Sequence, residues 1–224
     1  MNILLFLFIL LISMFMTYIS IKYLKKSGLM ILYISASIIS YLLTYKYVTF
    51  QTINYNSNSI TYVTMLISLY LLLEKNNKKE VNKIINLNFI SCIFISVILY
   101  IMSIYTQSLS DTIGINMTNV FINNYRILIA YPISILISQK ILVIIYDKIK
   151  KLYDNLFISM VTTYLAIGLI SSISYIIISY YNLLNNQDII KVILSTYMIR
   201  LIVTVIYSIF LTVINKKKVK QWQT

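Results

Sequence analysis

Long apolar runs alternate with short polar links along this chain, at residues 3–21, 29–48, 59–73, 87–106, 127–146, 156–181 and 189–214. About 20 apolar residues in helical form cross the hydrocarbon of a bilayer. Only helices and closed barrels satisfy their backbone groups in lipid. Barrel strands would alternate apolar and polar positions over ~10 residues, whereas runs such as 3–21 and 156–181 are apolar on every side and too long. One proline and three glycines leave the runs almost unpunctuated. The pattern predicts an all-α, polytopic transmembrane helical bundle of about seven spans, forming one domain over residues 1–224. The third run is short for a span, or starts earlier within 53–59.

The links set the orientation. Lys22, Lys25 and Lys26 follow the first run, and Lys75, Lys78, Lys79 and Lys83 follow the third. Lys148, Lys150 and Lys151 follow the fifth, and Lys216, Lys217, Lys218 and Lys220 the seventh. These are fourteen of the 19 Lys and Arg residues; the other links hold only Arg126 and Lys191, with Asp111 and Asp188, and the stretch 48–58 has no charge. Basic links face the cytoplasm, which predicts N-out and C-in in the cell membrane. The first run has no basic residue ahead of it and no small-x-small site, so it is expected to stay as a span rather than be cleaved. The basic tail with Trp222 suits anionic headgroups.

Composition narrows the function classes. Hydrophobic residues make up 59% and charged ones 11%, against about a quarter charged in soluble domains. The net charge of +13 sits in the links rather than on a basic face with interleaved aromatics, so no nucleic-acid partner is expected. There is no histidine and one cysteine, Cys92. Imidazole bases, Cys–His pairs and zinc sites are excluded with them, and no general acid–base pair can be assembled. The chain reads as no enzyme and calls for no cofactor. No G-x-x-x-x-G-K-[ST] motif is present, so ATP coupling would need an energising partner; a homo-oligomer stays open.

Polar residues inside the runs carry the candidate chemistry. Arg200 lies mid-run, where a guanidinium costs at least ~2.5–3.5 kcal/mol and marks a functional site by default. It either reaches Glu74 across the bundle, bonds helix carbonyls, or faces a wet cavity that holds a polar ligand. Lys140 and Lys46 are placed to snorkel. Gln139, Thr162, Thr163, Ser195 and Thr196 either line a cavity or link helices by hydrogen bonds of ~0.6–2 kcal/mol.

Motifs in order along the chain resemble the queuosine precursor transporter family, a vitamin-uptake-like group of small membrane carriers. The opening MNILLFLFILL…YLKKSGLMILYI is similar to the extra first helix of the family's Gram-positive branch. Lys46 falls where the family has a Lys at the end of its second helix. Glu74-Lys75-Asn76-Asn77-Lys78-Lys79-Glu80-Val81 resembles E-x-Y-G-K-K-E-A. Arg126-Ile127-Leu128-Ile129-Ala130 with Ser138-Gln139 resembles R-I-x-x-A…S-Q. Thr196-Tyr197-Met198-Ile199-Arg200 resembles T-Y-x-x-K, with Arg200 at a family lysine.

The resemblance implies a carrier that moves a small planar solute, 7-cyano- or 7-aminomethyl-7-deazaguanine, into the cytoplasm by alternating access. It implies Arg200 and Gln139 as ligand contacts, Glu74 as gate or counter-ion, Thr196 and Tyr197 as neighbours, and Lys46 as a retained member of the set. Departures are as specific. Family acids fall at Tyr70, Leu142 and Leu165, the D-T-P of the last helix reads Tyr207-Ser208-Ile209, and an Asn and a Gln fall at Tyr41 and Leu43. A carboxylate reads the donor edge of a deazaguanine best, so the losses point either to a different, less polar solute or to an accessory, non-transporting protein of the same fold.

Overall fold

A computed structural model describes residues 2–50, 53–105, 120–121, 124–153, 155–181, 183 and 185–218. Seven α-helices account for most of them: α1 (Asn2–Ile19), α2 (Lys25–Leu43), α3 (Ser59–Lys75), α4 (Lys78–Ile104), α5 (Tyr125–Leu152), α6 (Leu156–Tyr180) and α7 (Asn186–Lys218). Among the described residues five helical stretches are long and apolar enough to cross a bilayer, the first being Ile3–Leu43, which runs through α1 and α2. The expected all-α membrane bundle is therefore the architecture. Several helices outrun their apolar cores, α4 by nine residues at its start and α5 by six at its end, because the polar Lys-rich flanks continue the helix. Asp111, Asp154, Lys220 and Trp222 lie outside the described residues, as does Thr106, the last residue of the expected fourth span.

Between α1 and α2 the chain folds back through a π-helical turn, Ser20–Leu24. A straight helix of this length would reach about 60 Å. Instead Phe6, early in α1, packs edge-on to Tyr55, which lies beyond the far end of α2. The bend falls at Lys25, whose φ of 51° is in the left-handed region. Gly28 makes the close return feasible: a Cβ there would collide with the Leu24 Cβ and meet the Ser20 carbonyl oxygen at 3.0 Å.

One expectation is corrected at the other end of α2. The second apolar run predicts helix as far as Val48, but the helix stops at Leu43 and the chain enters an antiparallel hairpin, β1 (Tyr47–Phe50) and β2 (Ile53–Asn56). Aromatic and β-branched residues favour the strand here, and an apolar run alone does not tell a strand from a helix. Lys46 sits exposed at this turn.

Helix α3 is the centre of the bundle. Fourteen of its 17 residues are buried, as expected of a helix apolar all round, and it packs most heavily on α2 and α7. At about 26 Å it is short for a span. Helices α1 and α4 instead present broad apolar faces outward, including Leu4, Phe8, Phe15, Ile90, Phe94 and Val97, as lipid-facing helices do. Pro132 within α5 removes the bond that the carbonyl of Leu128 would accept. That carbonyl is taken instead by the Tyr41 hydroxyl at 3.2 Å and the Ser96 hydroxyl at 2.9 Å, tying α2 and α4 to α5. The basic links gather at one end, where Lys26 meets Glu80 and Lys150 meets Glu74; the basic-loop rule makes this the cytoplasmic end.

Candidate functional site

Helices α3, α5, α6 and α7 enclose two cavities, one above the other. The first is nearer the hairpin end and is lined by Asn58, Tyr62, Tyr131, Ser134, Tyr175 and Arg200, among others. Helix α7 delivers Arg200 on a stripe of buried polar residues four apart, Thr196, Arg200, Thr204 and Ser208, a spacing that keeps one helix face toward the core. Thr204 and Ser208 return their hydroxyls to the carbonyl one turn back, at 2.8 and 2.7 Å. Arg200 is only 2% exposed.

Its guanidinium donates from Nη2 to the Asn58 Oδ1 at 2.9 Å and lies 3.9 Å from the centroid of the Tyr62 ring. Asn58 is itself fixed by its neighbours. Its N–H donates to the Asn56 side chain at 3.1 Å, and the Asn56 amide donates to the Thr44 carbonyl at 3.0 Å. Around this pair, polar atoms stand buried without a protein partner among the described residues: Arg200 Nε, Asn58 Nδ2, the Tyr62 and Tyr175 hydroxyls and Ser134 Oγ. Orphaned buried groups of this density call for an explanation, an unseen ligand or ion being one. The space left between them holds about one water.

The second cavity lies roughly one to two helical turns nearer the Lys-rich end. Leu66, Tyr70, Leu142, Met160 and Ile167 line it, with Thr163 and Thr204 at its edge. Its few polar groups are already engaged. The Tyr70 hydroxyl meets Ser159 Oγ at 2.6 Å, and Thr163 donates to the Ser159 carbonyl at 2.6 Å. Two of the positions at which the resembling family carries acids, Tyr70 and Leu142, thus line one apolar space. Leu165 faces outward at 42% exposure. Tyr207 is buried, its hydroxyl 3.1 Å from Thr17 and 3.2 Å from Thr64.

The residues singled out in sequence are not one cluster. Thr196 is buried one turn from Arg200, with its hydroxyl unpaired among the described residues. Tyr197 is half-buried and stacks on Tyr164, with centroids 5.9 Å apart. Gln139 is fully buried but bridges helices: it accepts from the Tyr33 hydroxyl at 2.6 Å and its amide lies 3.3 Å from the Met65 sulfur. Glu74 does not reach Arg200; it pairs with Lys150 at 2.6 Å. The Lys140 ammonium donates to Asn82 in the Lys-rich flank of α4 at 2.9 Å. Thr162 and Ser195 hydroxyls return to their own helices.

Asn58, Tyr62, Ser134 and Tyr175 were not anticipated. Asn58 lies in an uncharged link, and Tyr62 and Tyr175 are two of 21 tyrosines. A signal existed in the i, i+4 pairing of Asn58 with Tyr62, just where the third helix begins. Among the described residues no group of acidic, Cys or His side chains is placed to hold a metal ion.

A helical bundle of this kind, with apolar outer faces and a buried cationic cavity between four helices, is a multi-pass protein of the cell membrane. The chain belongs to the family described as "Putative vitamin uptake transporter", whose model matches residues 57–214. The match takes in α3 to α6 and α7 as far as residue 214, so both cavities fall within it, while α1, α2 and the hairpin precede it. No curated protein and no solved structure matches the chain.

Proposed function

We propose that this chain imports a small planar solute into the cytoplasm, a 7-deazaguanine precursor of queuosine being the candidate, and that the solute binds at Arg200. The observation that carries the reading is the buried guanidinium with its Nε unpaired among the described residues, set between tyrosine rings in a carrier-family bundle. Keeping that charge in the membrane costs free energy, and a ligand that accepts its hydrogen bonds accounts for the retention. Tyr62 and Tyr175 supply faces for a flat ring, and Asn58 a second donor. Thr196 extends the wall by one turn. The small size of the cavity fits a closed state of an alternating-access cycle, in which the solute enters when the four helices part. The Glu74–Lys150 pair closes the cytoplasmic mouth as a gate, and Gln139 holds α2, α3 and α5 in register.

The test is an uptake rescue. The full chain is expressed in a bacterium that neither makes nor imports queuosine precursors but completes the later steps. 7-Cyano- or 7-aminomethyl-7-deazaguanine is supplied at low concentration, and queuosine in tRNA is measured. Restored modification that Arg200→Ala abolishes, at equal membrane levels, supports transport and site together. The apolar second cavity, with Tyr70 and Leu142 in place of family acids, favours a second reading: a carrier for another, less polar vitamin-like solute. Absence of rescue at good expression moves the assignment there.

A further inference from the structure

We infer that the Arg200 cavity selects a neutral solute edge of hydrogen-bond acceptors and rejects a cationic one, so that the nitrile and not the aminomethyl precursor is taken. This rests on the reading that a 7-deazaguanine is the solute. Arg200 Nε and Asn58 Nδ2 are the two unpaired groups here that can only donate. The other orphans, the Tyr62, Tyr175 and Ser134 hydroxyls, donate or accept. Tyr131 is already committed, donating to the Ser37 carbonyl at 2.9 Å.

Among the described residues no carboxylate pairs with Arg200. Among the described residues Glu74, Glu80 and Asp188 are engaged with Lys150, Lys26 and Lys191. Arg200 has instead an amide oxygen and an aromatic face, so the cavity keeps a positive field in a medium of low dielectric.

The two precursors differ at one substituent. In the 7-cyano compound the ring carbonyl oxygen and the nitrile nitrogen lie on the same edge, and both accept. A guanidinium fork suits such an edge, as it suits the carbonyl edge of guanine. In the 7-aminomethyl compound the nitrile is replaced by an ammonium, which would face Arg200 with like charge and no acceptor. Unpaired like charge is the repulsive element by which sites discriminate between close analogues.

The experiment measures uptake of each labelled precursor separately, in cells carrying the full chain, with membrane levels matched by immunoblot. Wild type is expected to favour the nitrile by roughly 100-fold or more, as like charges brought together cost several kcal/mol. Arg200→Lys keeps the charge and is expected to keep the preference. Arg200→Gln removes the charge while retaining donors, and the ratio is expected to collapse toward unity. Equal uptake of both solutes by wild type, or an unchanged ratio in Arg200→Gln, overturns the inference while leaving import standing. Uptake of neither by wild type overturns the substrate reading and this inference with it.

Discussion

Two cavities share the same four helices and differ in almost everything else. The one toward the hairpin holds a buried charge and several unpaired polar atoms; the one toward the cytoplasmic end is apolar, its few hydroxyls bonded within the protein. Fully satisfied polar groups make a packed core, whereas unsatisfied ones are retained against a cost. On the function proposed above, the contrast separates a place that binds from a place that packs, within one bundle.

The largest expected effect tests this division directly. Arg200→Ala is expected to cut uptake roughly 100-fold, the loss of a charge-assisted pair of hydrogen bonds. Melting in detergent should be unchanged or raised, since removing a buried charge relieves its desolvation. Leu142→Ala should do the reverse. It opens a hole in the apolar cavity and costs about 2 kcal/mol or more of stability, while uptake per folded protein stays close to wild type. If both substitutions move uptake and stability together, the two cavities form one site and the division fails.

A smaller effect sharpens the boundary. Gln139 was expected to touch the ligand but ties Tyr33 to Met65. Gln139→Leu should cost about 0.6–2 kcal/mol, the range for hydrogen bonds between membrane helices. The affinity for the solute, read as the half-saturating concentration of uptake, should not move. A shift in that concentration with stability intact would return Gln139 to the binding wall.

How legible this was depended on whether the decisive property is local. Helices declared themselves because apolar length is a property of consecutive residues. Arg200 stood out because a guanidinium in an apolar run conflicts with its surroundings at once. Its partners did not stand out, because Asn58 sits 142 residues away and nothing in an uncharged link says which amide will turn inward. The hairpin was missed because Tyr47 and Val48 prolong the apolar run that precedes them, and periodicity is weak over four residues. The lone Pro132 could be counted from sequence. That its freed Leu128 carbonyl recruits Tyr41 and Ser96 is a tertiary fact. Glu74 was a candidate counter-ion only while its distance from Lys150 was unknown.

The smallest expected effect sets a charge in water beside the charge in the core. Lys26 and Glu80 meet at 2.7 Å with about half of each side chain exposed. The ammonium of Lys26, by hydrogen bond and by charge, holds the Glu80 carboxyl below its ordinary value of 4.5. A carboxyl lowered on folding stabilises the folded state above its unfolded value, and that contribution disappears as pH falls through the lowered one. Solvent screens the exposed pair, so the contribution is small. Glu80→Gln should therefore melt slightly below wild type at neutral pH, and the gap should close as pH falls through the lowered value, once the carboxyl is protonated in both states. High salt should close it as well. Salt should leave the effect of Arg200→Ala on uptake in place, because a charge 2% exposed lies beyond the reach of mobile ions. Loss of both effects at high salt would mean that Arg200 is in contact with bulk water, and the buried binding cavity would have to be abandoned.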